Sequence, residues 1–316
     1  MSIVHDDWKR DMKIYFDGQE FARRIQEVEA DVLIVEADLV HEEVFAASAL
    51  RMIGCCRGDP VNVDRDLATR QGVPIFYTPG RNADAVADLT MAFMLSLVRN
   101  VFPVNDALRK GTLRFESTDD FLSMYNTYGG REIGTATVGI IGLGAVGRLV
   151  ARRLSGFGPR ILGYDPFTQV EGVSNVDLPT LLRESDFVTV HCVANDATRG
   201  LVGAAELAMM KPTAYVLNLA RASIVDEDAL YEALVAGQIA GAGLDVFAAE
   251  PVQPENRFLQ LPNCLVMPHL GGATVDVVRH QSVMITDSIE AYLAGRRPPF
   301  LWNPEVLEAG DASRPA

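Results

Sequence analysis

Arg221, Glu250 and His269 each stand just past an apolar run, in the segments NLARASIVDEDAL, GAGLDVFAAEP and MPHLGGAT. A guanidinium can hold a carboxylate through two parallel hydrogen bonds, a histidine exchanges a proton near neutral pH, and a carboxylate can orient that histidine and hold its proton more firmly. Together they suit hydride transfer at a carbon that bears a hydroxyl and a carboxylate. Spacing alone does not bring the three together. Each by itself also has a plain structural use, in an ion pair, a turn before proline or a backbone cap.

The second constellation is VGIIGLGAVGRLVARRL, from Val138 to Leu154. Gly142, Gly144 and Gly147 stand in G-x-G-x-x-G spacing, with Ala145 and Val146 between the last two, after a predicted strand and at the opening of a predicted helix. Gly142 permits the tight turn, Gly144 lets backbone approach a pyrophosphate, and Gly147 lets helix and strand pack closely, while the helix N-terminus offers free N–H groups to the anion. Asp165 follows the next strand, in Gly163-Tyr164-Asp165-Pro166. Its carboxylate can accept from ribose hydroxyls and repels a 2′-phosphate, and neither Arg nor Lys follows to cradle one, so NAD is the expected cofactor.

These residues need a parallel sheet to carry them. Apolar runs of four to seven residues alternate with helical patterns along most of the chain, the mark of an α/β protein built from βα units. Early strands are predicted at Lys13 to Phe16, Asp31 to Glu36, Arg51 to Cys56 and Pro74 to Tyr77, and a helix begins near Asn82. Residues 104 to 130 break the pattern and read as a crossing into a second domain. Strands resume at Thr137 to Ile141, Arg160 to Tyr164, Phe187 to His191, Tyr215 to Leu219, Ala242 to Val246 and Leu265 to Met267, which predicts a six-stranded doubly wound sheet. A last helix spans Val275 to Leu293, and the tail from Glu305 to Ala316 lacks an apolar period and is expected to fray.

The chain has 316 residues, with 28 Lys and Arg against 42 Asp and Glu, for a net charge of −14. That length suggests two domains, and that sign repels a phosphate backbone, so no nucleic-acid partner is expected. The best apolar stretch, Leu89 to Val98, is about half the ~20 residues of a membrane span. His5, Asp6, Asp7 and Trp8 stand where a signal peptide would be apolar, and a cytoplasmic location is expected. The cysteines at 55, 56, 192 and 264 have no metal-ligand spacing and read as reduced residues packed mostly in strands.

At these motifs the chain resembles the D-isomer-specific 2-hydroxyacid dehydrogenase family, from about residue 50 to 300. The likeness includes TPGRNADAVADLT from Thr78, the Gly142 fingerprint with Asp165, HCVANDATRGLV from His191, and the Arg221, Glu250 and His269 segments in the expected order. It implies a Rossmann NAD-binding domain, residues 104–286, and a flavodoxin-like substrate domain made of residues 1–103 and 287–316, with a cleft between the two doubly wound domains. It implies His269 as acid/base, Glu250 as its partner and Arg221 as carboxylate clamp, with Thr78, Cys192, Ala220, Asp245 and Gly271 near the cofactor. A homodimer built around the helix from Asn82 and the following loop is also implied. Glu250 argues against the formate-oxidising branch, which carries Gln beside its His, and the long phosphoglycerate dehydrogenases are matched only in their catalytic part.

One departure bears on substrate. Arg57 and Asp59, flanking Gly58, replace two glycines in the loop that by this resemblance contacts substrate. A 2-hydroxy or 2-keto acid with a polar tail longer than that of lactate is expected, of the sugar-acid or phosphoglycerate kind. Alternatively, Arg57 and Asp59 pair with each other or face solvent. A rival function also stands, because the C-terminal-binding corepressors resemble the same scaffold and would make this an NAD(H)-sensing interaction protein. No basic segment or interaction tail supports it.

Overall fold

The computed structural model describes residues 2–7, 10 and 14–309. Among these residues the strands form two parallel sheets. The smaller holds β1 (Val32–Val35), β2 (Met52–Cys55) and β3 (Ile75–Phe76) in the order β1-β2-β3. The larger holds β4 (Thr137–Ile141), β5 (Arg160–Tyr164), β6 (Ser174–Asn175), β7 (Phe187–Val190), β8 (Tyr215–Asn218), β9 (Gly241–Leu244) and β10 (Cys264–Val266), in the order β10-β9-β8-β7-β4-β5-β6.

The larger sheet reverses direction of progression between β4 and β7, which is the switch point of a doubly wound fold. It has seven strands where the sequence predicts six. The extra strand, β6, is two exposed polar residues at the sheet edge and leaves no apolar pattern to read. The three described strands of the smaller sheet run in simple sequence, and the switch point belongs to the larger one. Ile14 to Phe16 form no strand, although Tyr15 is buried, and Lys13 lies outside the described residues.

Two compact units result, Met1–Arg81 with Thr274–Ala316, and Asn82–Ala273. The divisions fall at 81/82 and 273/274, where the sequence suggested 103/104 and 286/287. The reason is packing. Helix Ala83–Val98 lays Val86, Met91, Phe93 and Met94 against Val138, Ile140, Val150 and Leu154 of the larger sheet and its first helix. Gly243 of β9 makes room for it, since a Cβ there would stand 2.6 Å from the Phe93 ring. Helix Val275–Leu293, capped by Thr274, belongs instead to the smaller unit, where Ile285 packs with Met52 and Phe76.

Residues 104 to 130 are not an irregular crossing: helices Val101–Arg109 and Thr118–Tyr128 occupy most of them. The second helix buries no residue, which is why it lacks an amphipathic signature. Part of the presumed frayed tail is ordered too. Glu305–Ala309 is helical with Val306 buried, and residues 310–316 lie outside the described residues. Just before it, Trp302 N donates to Ile75 O at 2.8 Å and Asn303 Oδ1 accepts from Ile75 N at 2.8 Å, which satisfies the open edge of β3. Among the described residues no single helix is long and apolar enough to cross a membrane.

Candidate active site

Register gathers the site. Ile141 pairs with Tyr164 and Val190, Asn218 with Val190 and Leu244, and Leu244 with Val266. The residues that follow, Gly142, Asp165, Cys192, Ala220, Arg221, Asp245 and His269, therefore all emerge at the C-terminal edge of the larger sheet. Open α/β sheets bind ligands there.

At the switch point Gly142 has φ +91°, and a Cβ on it would stand 2.5 Å from the Cys192 backbone N, so β4 and β7 approach closely only with glycine here. A Cβ on Gly147 would run into the Gly142 carbonyl oxygen, whereas one on Gly144 would meet nothing within 4 Å. Gly144 also begins helix Ala145–Ser155, which no side chain caps. An open backbone surface at an uncapped helix N-terminus fits a pyrophosphate, and on that observation the residues present suit a dinucleotide.

Asp165 has more to do than the sequence suggests. Its Oδ2 accepts from Leu143 N at 2.7 Å, and its Oδ1 accepts from Phe167 N and Thr168 N, each at 2.9 Å. It thus ties the glycine loop to its own turn. A carboxylate offers about four acceptor positions, so Oδ2 retains one for a ribose hydroxyl.

Two of the three catalytic candidates are in contact, and the third lines the same cavity. His269 Nδ1 and Glu250 Oε2 are 2.7 Å apart, and Glu250 Oε1 accepts from Phe247 N at 3.0 Å. Burial works against the Glu250 carboxylate. The bonds from His269 and Phe247 and the charges of His269 and Arg221 outweigh it and hold its pKa below the ordinary value. Arg221 donates from Nη1 to Ala220 O at 2.8 Å. Arg221, Ser223, Glu227, Phe247, Glu250 and His269 line a cavity of about 430 Å³.

Two residues position this trio. Asn218, buried at the end of β8, donates from Nδ2 to Arg221 O at 3.0 Å and accepts at Oδ1 from Ala220 N at 3.2 Å, shaping the turn that presents Arg221. Its only mark in the sequence is a polar residue closing an apolar run. His269 lies in the left-handed region at φ +57°, uncommon for a residue with a Cβ. Asp245 supports that conformation: its two oxygens accept from Leu270 N and Gly271 N, each at 2.8 Å. Burial raises the Asp245 pKa against those two bonds and the His269 charge, with Glu250 adding to the rise. Cys192, half-buried beside Gly142, has its thiol pushed up to about 11, chiefly by burial.

Thr78, Arg57, Gly58 and Asp59 belong to the other unit. Thr78 N donates to Arg57 O at 2.9 Å, while Thr78 Oγ1 is buried without a hydrogen-bond partner. Arg57 is half-buried and Asp59 exposed, and among the described residues neither side chain has an ion pair or hydrogen bond. The two do not pair with each other. Cys55 lies in β2 and Cys264 in β10, while Cys56 and Cys192 follow their strands, and all four are free.

A glycine loop at a sheet switch point, with an arginine and a carboxylate-paired histidine on the same edge, defines a nicotinamide-dependent oxidoreductase. Residues 91–271 match the NAD-binding domain of the D-isomer-specific 2-hydroxyacid dehydrogenases. The chain is 36% identical over 291 residues to a glyoxylate reductase of Korarchaeum cryptofilum, covering 90% of this chain and 86% of that protein. It is 34% identical over 284 residues to a D-3-phosphoglycerate dehydrogenase of Archaeoglobus fulgidus, covering 88% of this chain and 52% of that protein. Among solved structures, a D-lactate dehydrogenase from Sporolactobacillus superposes with TM-score 0.77 at 26% identity, covering 94% of each chain. The chain belongs to the D-isomer-specific 2-hydroxyacid dehydrogenase family. It is an NAD-dependent 2-hydroxyacid dehydrogenase, with a CH–OH group as donor.

Proposed function

We propose that the protein interconverts a D-2-hydroxy acid and its 2-keto acid, that it prefers NAD to NADP, and that the acid carries a polar tail of the sugar-acid or phosphoglycerate kind. The observation that carries the reaction is the 2.7 Å contact of His269 Nδ1 with Glu250 Oε2 beside Arg221. With the carboxylate accepting from Nδ1–H, Nε2 is left to exchange a proton with the oxygen on C2. Arg221 keeps most of its N–H groups for the substrate carboxylate and the C2 oxygen, whose developing charge it stabilises. Gly142 to Gly147 would hold the pyrophosphate of NAD(H) and Asp165 its adenosine ribose, with Cys192, Ala220, Asp245 and Gly271 along the rest of the cofactor. When bound, NADH supplies the hydride that reduces C2.

The tail assignment rests on Arg57 and Asp59, which have no ion pair or side-chain hydrogen bond among the described residues, in a loop where an apolar ligand would leave both poorly solvated. The relatives include a glyoxylate reductase, whose named substrate has no tail, and a D-3-phosphoglycerate dehydrogenase, whose substrate has a polar one. Rates of NADH oxidation with glyoxylate, pyruvate, hydroxypyruvate, phosphohydroxypyruvate and a four-carbon sugar keto acid test it, in wild type and Arg57→Ala. Pyruvate as best substrate, or unchanged ratios in the variant, would refute the tail reading.

A homodimer is part of this proposal. Val101, Phe102, Leu108, Phe121 and Leu122 leave a run of large apolar side chains about half exposed on the two helices after residue 100. Sedimentation of wild type against Phe102→Glu decides it, and a wild-type monomer at micromolar concentration would rule it out. A cytoplasmic location is part of the same proposal.

A further inference from the structure

The smaller sheet ends in a polar cluster of its own. Val35 pairs with Cys55 and Gly54 with Phe76, so Glu36, the loop Arg57 to Asp59 and the turn Thr78 to Arg81 collect at the C-terminal edge of β1, β2 and β3. The loop and the turn run side by side: Thr78 N donates to Arg57 O, and a Cβ on Gly58 would stand 3.6 Å from Thr78 O.

Arg81 is pinned here from two directions. Its Nη1 donates to Glu36 Oε1 at 3.4 Å and to Oε1 of the buried Gln281, and its carbonyl oxygen faces His280 Nδ1 at 3.2 Å. A guanidinium carries five N–H donors. Those of Nη1 are used, and among the described residues Nε and Nη2 have no acceptor. They form the straight edge that binds two oxygens at once, on a side chain only 23% exposed. Glu36 and Gln281 fix the direction in which that edge faces.

Charge narrows the ligand. Arg57 and Arg81 are matched by Glu36 and Asp59, so the cluster is neutral overall, with donors and acceptors interleaved. A phosphate dianion would stand against two carboxylates, whereas neighbouring hydroxyls both donate and accept. We propose that Arg81, oriented by Glu36 and Gln281, is a specificity determinant whose Nε/Nη2 edge binds vicinal hydroxyls on the tail of a polyhydroxy 2-keto acid. This rests on the 2-keto acid reading above.

The experiment compares kcat/KM for glyoxylate, which has no tail, phosphohydroxypyruvate, and a four-carbon 3,4-dihydroxy-2-keto acid, in wild type, Arg81→Met, Arg81→Lys and Glu36→Gln. Wild type is expected to prefer the dihydroxy acid. Arg81→Met should lower kcat/KM for it by about 10- to 100-fold, mostly through KM, with less than about threefold loss on glyoxylate. Arg81→Lys restores charge without the fork and should recover only part, and Glu36→Gln should give a smaller loss of the same selectivity. Equal losses on glyoxylate and the dihydroxy acid, with a lower Tm, would make Arg81 structural and overturn the proposal. So would unchanged ratios in Arg81→Met and Glu36→Gln, or phosphohydroxypyruvate as the preferred substrate. Turnover of none of the keto acids by wild type would instead overturn the underlying reading.

Discussion

Replacing Glu250 by Gln keeps the volume of the side chain and removes its charge, which isolates what the carboxylate does for His269. The two groups stabilise each other's charged forms across 2.7 Å. A hydrogen bond to a charged group contributes about 1.5–3 kcal/mol. With His269 48% and Glu250 34% exposed, solvent screens the pair, and about 1–1.5 kcal/mol is the better figure. At about 1.4 kcal/mol per factor of ten, losing it should lower kcat by about 5- to 10-fold. Because His269 exchanges the proton in reduction and in oxidation alike, the loss should appear in both directions. Gln has one carbonyl oxygen where the carboxylate has two, so either His269 or the Phe247 N–H loses its acceptor, at about 1 kcal/mol of stability. Because the Glu250 pKa is lowered on folding, its contribution is present above the unfolded carboxylate value and fades as pH falls through the folded one. The variant should lack that dependence. Steady-state rates in both directions over roughly pH 5 to 9 are the assay. Rates equal to wild type in either direction would refute the coupling.

His269→Ala should lower kcat by about 10²–10⁴ with NADH affinity nearly unchanged, measured by stopped-flow turnover and fluorescence titration. Gly144→Val, in open space, should weaken NADH binding while leaving Tm within a few degrees. Gly147→Val drives a side chain into the Gly142 carbonyl and should destabilise by about 1–3 kcal/mol or more, seen as a lower melting transition. Asp165→Ala should narrow the preference for NADH over NADPH in parallel titrations. It should also lower Tm, because three backbone N–H groups lose their acceptor.

The glycine fingerprint was readable because its spacing, strand and helix are contiguous. Convergence of Arg221, Glu250 and His269 was not, since Glu250 and His269 are 19 residues apart and meet only through the parallel pairing of β9 with β10. Arg81 stands in the segment from Thr78, yet its partners Glu36 and Gln281 are 45 and 200 residues away. The helix Thr118–Tyr128 escaped because burial, the source of amphipathic periodicity, is missing from it. Asp165 looked purely like a ribose acceptor, because a carboxylate that binds backbone N–H groups has no periodic signature at all.

The fastening of β3 by Asn303 has a consequence for biosynthesis. Ile75 leaves the ribosome 228 residues ahead of the side chain that satisfies its N–H. At ~5–20 residues per second, that is a delay of roughly 10–45 s. The segment from Asn82 to Ala273 is continuous and can close on itself as it emerges. The smaller unit meanwhile waits with Ile75 and Phe76, fully buried in the finished protein, on an uncovered strand. Nascent chains are therefore most exposed to mispairing during this interval, and a chain truncated before Leu301 should remain in that state, detectable by its protease sensitivity around β3.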